Sequence, residues 1–205
     1  MLNEVLNEIY KNNGTLNILI AGQTCSGKTT LANNLYEELS KMFNVTLIHQ
    51  DDYFKDLDNI PRSRFGYLTD SINAFETREF IYDVNELLAE GKVLVPRYDV
   101  PSNKRIAKDK EITKGQINIF EGLHVINILK DLPNQFSIYL NTSPEICLER
   151  RVNRDTKLFN IDESRIREYF YDCILPVSKD YIWQQEKIAD IVLKEGGEMK
   201  CRTKS

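Results

Sequence analysis

Four cysteines in 205 residues, at positions 25, 147, 173 and 201, lie too far apart to make a metal-binding or redox pair. The plain expectation is reduced thiols in a cytoplasmic protein. An excess of positive charge is also missing. Twenty-seven Lys and Arg stand against 31 Asp and Glu, a net charge of −4, which leaves no broad basic surface for nucleic acid. No apolar run approaches the length of a membrane span, so no membrane association is expected. The opening MLNEVLNEIYKNN lacks the basic and apolar regions of a signal peptide. Internal repeats and low-complexity tracts are absent. What remains, 41% hydrophobic and 28% charged, is an ordinary globular composition. A chain of this length reads as one domain over 1–205, with room for a small lid.

Strand-like and helix-like segments alternate along the chain. LNILIAG (16–22) is an uninterrupted apolar run, the kind buried on both faces of a parallel sheet. KTTLANNLYEELSKMF (28–43) follows with Leu31, Leu35 and Leu39 at helical spacing. VTLIHQ (45–50), QINIFEGL (116–123), FSIYLNT (136–142) and ADIVL (189–193) read as further strands. TREFIYDVNELLAEGK predicts a helix with Thr77 as N-cap and Gly91 as its stop. Ser143 and Pro144 start another that runs to about Asp155. A long helical region covers 162–187, interrupted at Pro176, and Leu2, Val5, Leu6 and Ile9 suggest a short amphipathic helix docked on the domain. The stretch 55–75 reads as a loop or lid. VLVPRYDVPSNKR (93–105) is strand-like but holds two prolines, which predicts an edge or a hairpin. The tail EGGEMKCRTKS is expected to be mobile. The alternation predicts an α/β fold of three layers around a parallel sheet.

GQTCSGKT fixes the chemistry. Gly22, Gln23, Thr24, Cys25, Ser26, Gly27, Lys28 and Thr29, with Thr30 next, match G-x-x-x-x-G-K-[ST] between a buried strand and a helix. This is the P-loop. Its glycines let backbone N–H groups turn around phosphate oxygens, the helix N-terminus adds partial positive charge, Lys28 reaches the β- and γ-phosphates, and Thr29 offers its hydroxyl to Mg²⁺. ATP and Mg²⁺ are therefore the expected cofactors.

No Asp-x-x-Gly and Asn-Lys-x-Asp pair marks a GTPase, and no LSGGQ marks an ABC-type ATPase. Instead, carboxylates stand where two strands end: Asp51 and Asp52 in LIHQDDYFKD, and Glu121 in IFEGL. Ligands of open α/β sheets collect at such carboxyl ends. If those strands flank the P-loop strand, the acids face Mg²⁺ and the γ-phosphate; otherwise they merely cap the next elements. The period of two along a strand sends Asp51 and Asp52 to opposite sides, without saying which faces the ligand. LERRVNRDTK adds Arg150, Arg151, Arg154 and Lys157. Its arginines either stabilise a transferring phosphoryl group from a lid or pair with Glu149 and Asp155 on a solvated helix face.

GQTCSGKTTLA, QDDYFK, PRYDVPSNKR, IFEGL, RRVNRD and ADIVL occur in that order over about residues 15–195. Together they resemble the uridine kinase family of P-loop nucleoside kinases, with the nicotinamide riboside kinases close behind. The resemblance implies a P-loop NTPase fold with a lid at about 151–165 and a substrate-side insertion at about 55–110, containing a β-hairpin. It implies ATP-dependent phosphorylation of a nucleoside 5′-hydroxyl, uridine or cytidine first. Asp51 would stand beside that hydroxyl as base, and Thr29, Glu121 and Asp51 on the Mg²⁺ side. Lys28, Arg151 and Arg154 would serve the phosphates and Asp70 the ribose hydroxyls. Phe54, Tyr98, Asn103 and Arg105 would serve the rest of the acceptor, with Arg154 reaching it from the lid. A small-molecule nucleoside is then the partner, and a homo-oligomer is left open. The chain departs from the family in four places: Asn103 replaces a His, Phe54 a Tyr, and the lid reads TKLFNID where RGR is usual. The Gln expected near Tyr169 is missing. These changes leave room for nicotinamide riboside or pantothenate as acceptor, or for a nucleotide-binding regulatory ATPase.

Overall fold

The computed structural model describes residues 2–10, 16–195 and 199–201. A short helix α1 (Leu2–Tyr10) precedes β1 (Leu16–Gly22), α2 (Lys28–Leu39) and β2 (Val45–His49). A small hairpin follows, β3 (Arg62–Ser63) and β4 (Gly66–Tyr67), then α3 (Thr77–Glu90). β5 (Lys92–Asp99) and β6 (Lys104–Thr113) form a second, longer hairpin. β7 (Ile117–Gly122), α4 (Val125–Ile128), β8 (Gln135–Asn141), α5 (Pro144–Phe159) and α6 (Glu163–Tyr169) lead through further helical turns to β9 (Ile191–Lys194) and β10 (Met199–Cys201).

Six strands form the central sheet in the order β10-β9-β8-β1-β7-β2, parallel except where β10 meets β9. Successive side chains of β1 serve opposite faces. Ile18 and Ile20 pack with Leu31, Leu35 and Leu39 of α2 and with Val5 and Ile9 of α1. Leu19 and Ala21 pack with Phe80, Val84 and Leu87 of α3 on the other side. Layers of helix, sheet and helix result, as the continuous apolar strands predict. Among the described residues no helix is long and apolar enough to cross a membrane.

Several boundaries differ from the sequence expectation. β2 does not adjoin β1, because β7 lies between them. β2 also ends at His49, and Gln50–Tyr53 form one 3₁₀ turn. α2 stops at Leu39 rather than continuing to Phe43. Thr77 is the first residue of α3 and not its cap: Glu76 holds that position, and Thr77 Oγ1 donates back to the Ile72 carbonyl. Gly91 does end the helix, at a φ of 82°. α5 begins as expected, with the Ser143 hydroxyl accepting from the Ile146 N–H and Pro144 following, but it continues past Asp155 to Phe159.

Pro176 does not interrupt the helical path. The chain has already widened into a π turn at Phe170–Ile174, widens again at Ser178–Ile182 and tightens to 3₁₀ at Trp183–Lys187. Wide turns on either side accommodate a ring that lacks an N–H. In the longer hairpin, the register shifts between Val95 and Arg97, at Pro96, where a donor is missing from the ladder. The tail expected to be mobile contributes β10, while 196–198 and 202–205 lie outside the described residues.

Candidate active site

A cleft of about 1800 Å³ runs along the carboxyl ends of the strands, from the P-loop to the two hairpins. The P-loop floor is shaped by close approaches. A Cβ on Gly22 would come 2.7 Å from Ser26 Oγ and 2.8 Å from the Leu140 carbonyl. Gly27 has a φ of 103°, a conformation side chains disfavour, and Cys25 takes the left-handed region at 58°. Lys28 Nζ, largely buried, donates to the Gln23 carbonyl at 3.0 Å. Gln23 turns away from the cleft: its amide donates to the Thr142 carbonyl at 2.9 Å and its oxygen accepts from Trp183 Nε1 at 3.2 Å. Ser26 Oγ, within the loop, is buried without a hydrogen-bond partner. Thr29 and Thr30 open α2 on the cleft wall.

β2 and β7 pair in register with His49 opposite Glu121. His49 Nδ1 donates to Glu121 Oε1 at 2.7 Å, and Thr29 Oγ1 donates to the same oxygen at 3.3 Å. His49 is desolvated, which lowers its pKa, yet the bond to Glu121 and the neighbouring carboxylates raise it on balance. Asp51 opens onto the cleft but is crowded by protein. Desolvation first, then Glu121 and Asp70, push its carboxyl up to about 6, while Lys28 and His49 pull it down. Asp51, Glu121 and Asp70 are electrostatic neighbours here. Among the described residues no group of three or more His, Cys, Asp or Glu could hold a metal ion alone. Mg²⁺ would need only one or two protein ligands, since it keeps waters and shares its shell with phosphate oxygens. Thr29 and Glu121, whose side chains meet at 3.3 Å, could hold such an ion, with Asp51 beside them.

The two adjacent carboxylates diverge. Asp52 Oδ1 accepts from the Tyr98 N–H at 3.4 Å, tying the turn to β5, whereas Asp51 faces Lys28 and Glu121. A 3₁₀ turn, with successive side chains about 120° apart, makes this separation in place of a strand's alternation. Toward the longer hairpin Phe54 stacks on Phe75 with ring centroids 4.2 Å apart and lies 5.4 Å from Tyr98. Asn103 reaches the cleft from the hairpin turn at a φ of 52°. Asp70 is buried there with Oδ2 unpartnered, and its backbone carbonyl accepts from His124 Nε2 at 2.8 Å. Arg105 does not line the cleft; its guanidinium pairs with Glu79 at 2.6 Å.

The basic cluster divides. Arg150 Nη1 donates to the Cys25 and Ser26 carbonyls at 3.2 Å, and Arg151 Nη1 donates to Thr24 Oγ1 at 3.1 Å, so both brace the P-loop. Arg151 also pairs with Asp155 at 3.1 Å and stands 3.8 Å from Asp70. Arg154 bonds Asp155 at 2.7 Å and remains partly exposed in the cleft. Glu149 binds Arg167, not this cluster. Tyr169 donates its hydroxyl to the Tyr67 carbonyl and shares a 2.9 Å bond with Thr69, under Arg151.

The site holds two residues that sequence reasoning missed, His49 and Arg165. A strand-end His beside two acids was a legible signal. Arg165 had none, since only the turn from α5 to α6 brings it to the cleft.

A uridine kinase of Staphylococcus epidermidis is 30% identical over 191 residues, covering 92% of this chain and 91% of that protein. Uridine kinase-like protein 5 of Arabidopsis thaliana is 29% identical over 182 residues, 87% of this chain, and the chain spans only 39% of that longer protein. The solved structure of a possible uridine kinase from Bacillus stearothermophilus superposes with a TM-score of 0.70 at 18% identity, covering 93% of this chain and 96% of that one, and shares its fold. The Phosphoribulokinase / Uridine kinase family model matches residues 17–202, and with the P-loop, the strand-end acids and the braced arginines in place, the chain belongs to that family of kinases.

Proposed function

We propose that this protein is an ATP-dependent nucleoside kinase that transfers a γ-phosphoryl group to a 5′-hydroxyl, with uridine or cytidine as the first acceptors. The observation that carries the reading is Asp51. Its carboxyl is raised to about 6 between Lys28 of the P-loop and the acceptor half of the cleft. A base poised near neutral pH is what proton removal from a hydroxyl requires. Lys28 and the loop amides would hold the triphosphate, and Arg154 and Arg165 would meet charge spreading over the γ-oxygens. Mg²⁺ held by Thr29 and Glu121 would neutralise phosphate charge. The unpartnered Oδ2 of Asp70 suits an incoming hydroxyl donor such as a ribose. Phe54 and Tyr98 would flank the base.

The test is a panel of uridine, cytidine, nicotinamide riboside and pantothenate with MgATP, scored by mass of the phosphorylated product. Strong ATP consumption with a 5′-monophosphate of uridine or cytidine is expected. Product from another acceptor alone would reassign the substrate, and a flat, acceptor-independent ATPase rate would favour a regulatory nucleotide-binding protein.

A further inference from the structure

Asp83 lies on α3, fully buried, away from the cleft lining. Its two oxygens serve two different parts of the molecule. Oδ2 accepts from the Tyr53 hydroxyl at 2.9 Å, and Oδ1 holds the Lys108 ammonium. Tyr53 ends the 3₁₀ turn that carries Asp51. Its ring meets Phe80 edge-on at 4.9 Å, and its carbonyl accepts from the Glu76 N–H at 2.8 Å. Lys108 belongs to β6, the hairpin strand whose partner β5 carries Tyr98 and whose turn carries Asn103.

That hairpin is a two-stranded sheet separate from the central one. Such a ribbon is marginal alone and needs an external seat. One α-helical turn before Asp83, Glu79 pairs with Arg105 at 2.6 Å and with Lys108 at 3.3 Å, so α3 offers two acids to two of the hairpin's cations. The buried member matters most. A carboxylate without water must keep its partners, because loss of either leaves polar atoms unsatisfied.

We infer that Asp83 is a positioning residue that joins the base-bearing turn to the acceptor-bearing hairpin, so that acceptor docking and placement of Asp51 share a buried contact beside the Asp52–Tyr98 link. The inference rests on the proposed roles of Asp51 and the hairpin. It gives Arg105 and Lys108 a seating role from outside the cleft.

The test uses Tyr53→Phe, Lys108→Met, their double variant, and Lys108→Arg as the conservative replacement. Asp83 itself stays in place, since its loss endangers folding. With uridine as acceptor, Lys108→Met should raise the acceptor KM about tenfold and Tyr53→Phe should lower kcat about tenfold, the scale of one lost charge-assisted or buried hydrogen bond. MgATP binding measured at equilibrium should be unchanged in both, and Lys108→Arg should recover most of the KM. The double variant should lose less than the product of the two single effects, because both act through one carboxylate. Multiplicative losses, or an equal loss of MgATP affinity, would overturn the inference.

Hydrogen exchange decides the coupling without any turnover. Lys108→Met should speed exchange at 92–113 and also at 50–53, with 22–29 unchanged. An undisturbed 50–53 turn would overturn the coupling. If the wild-type protein does not phosphorylate uridine, the proposed acceptor falls, while hydrogen exchange still tests whether the turn and the hairpin move together.

Discussion

Asp51 carries opposite demands, because the burial and the neighbouring acids that would make it a useful base also make it costly to ionise. Its folded carboxyl sits near 6, above its ordinary 3.8. The fold therefore favours the protonated form, and stability falls as pH rises through that interval. Asp51→Asn removes the conflict. Its melting temperature should exceed wild type at pH 8 and match it at pH 4, by scanning calorimetry without nucleotide; an unchanged difference across that range would refute the assigned cause. The same variant should lower kcat on the order of 10²–10⁴-fold with little change in MgATP binding. Asp52→Asn should act mainly on acceptor KM through the Tyr98 N–H it releases. In the wild type, kcat/KM should decline below about pH 6, where Asp51 gains its proton. Lys28→Met should lower kcat by roughly 10²–10³-fold, comparable to losing one preorganised donor. It should also move the acid limb of any residual activity to higher pH, since Lys28 pulls the Asp51 carboxyl down. A limb that stays put would separate the two residues.

At the scale of elements, the P-loop and the strand ends make their own predictions. Cys25 lines the cleft half-buried, Cys147 and Cys173 are buried, and Cys201 is exposed. A small alkylating reagent should label Cys25 and Cys201 first, and MgATP should protect only Cys25, as peptide mass mapping would read. Equal labelling at both sites with and without MgATP would contradict the nucleotide's placement. Gly122 ends β7 so close to Gln50 that an added Cβ would collide with the Gln50 side chain. Gln50 cannot easily yield, since its Oε1 accepts from the His124 N–H at 3.0 Å. Gly122→Ala should cost about 1–3 kcal/mol, the range of overpacking in a core, and a denaturation midpoint equal to wild type would show that the turn gives way. This contact joins the turn that carries Asp51 to the strand that carries Glu121, and the sequence displayed both halves without the contact. GQTCSGKT and the apolar strands were legible because phosphate cradles and buried strands leave period and composition in a local window. The π turns around Pro176 and the 3₁₀ turn at Asp51 were not. Their hydrogen-bond spacing differs from the α-helix by one residue each way and leaves no such trace.

For the molecule as a whole, strand and helix alternation conveyed the three-layer architecture, but strand order is a matter of long-range pairing. Acids at two strand ends suggested two neighbours of the P-loop strand, whereas β7 separates β2 from β1. His49 and Glu121 meet only through the register of those two strands. The seating of the longer hairpin on Glu79 and Asp83 likewise depends on residues more than twenty positions apart. β10 was the least legible element, three residues in a polar tail. Running antiparallel to β9, it takes up backbone groups that a terminal strand would otherwise offer to any passing chain. A chain cut after Glu195 would retain the P-loop and its acids while baring that row of donors and acceptors. Light scattering should then show concentration-dependent clumping in a protein that still binds nucleotide, and a shortened chain that stays monodisperse would show that this edge needs no cover.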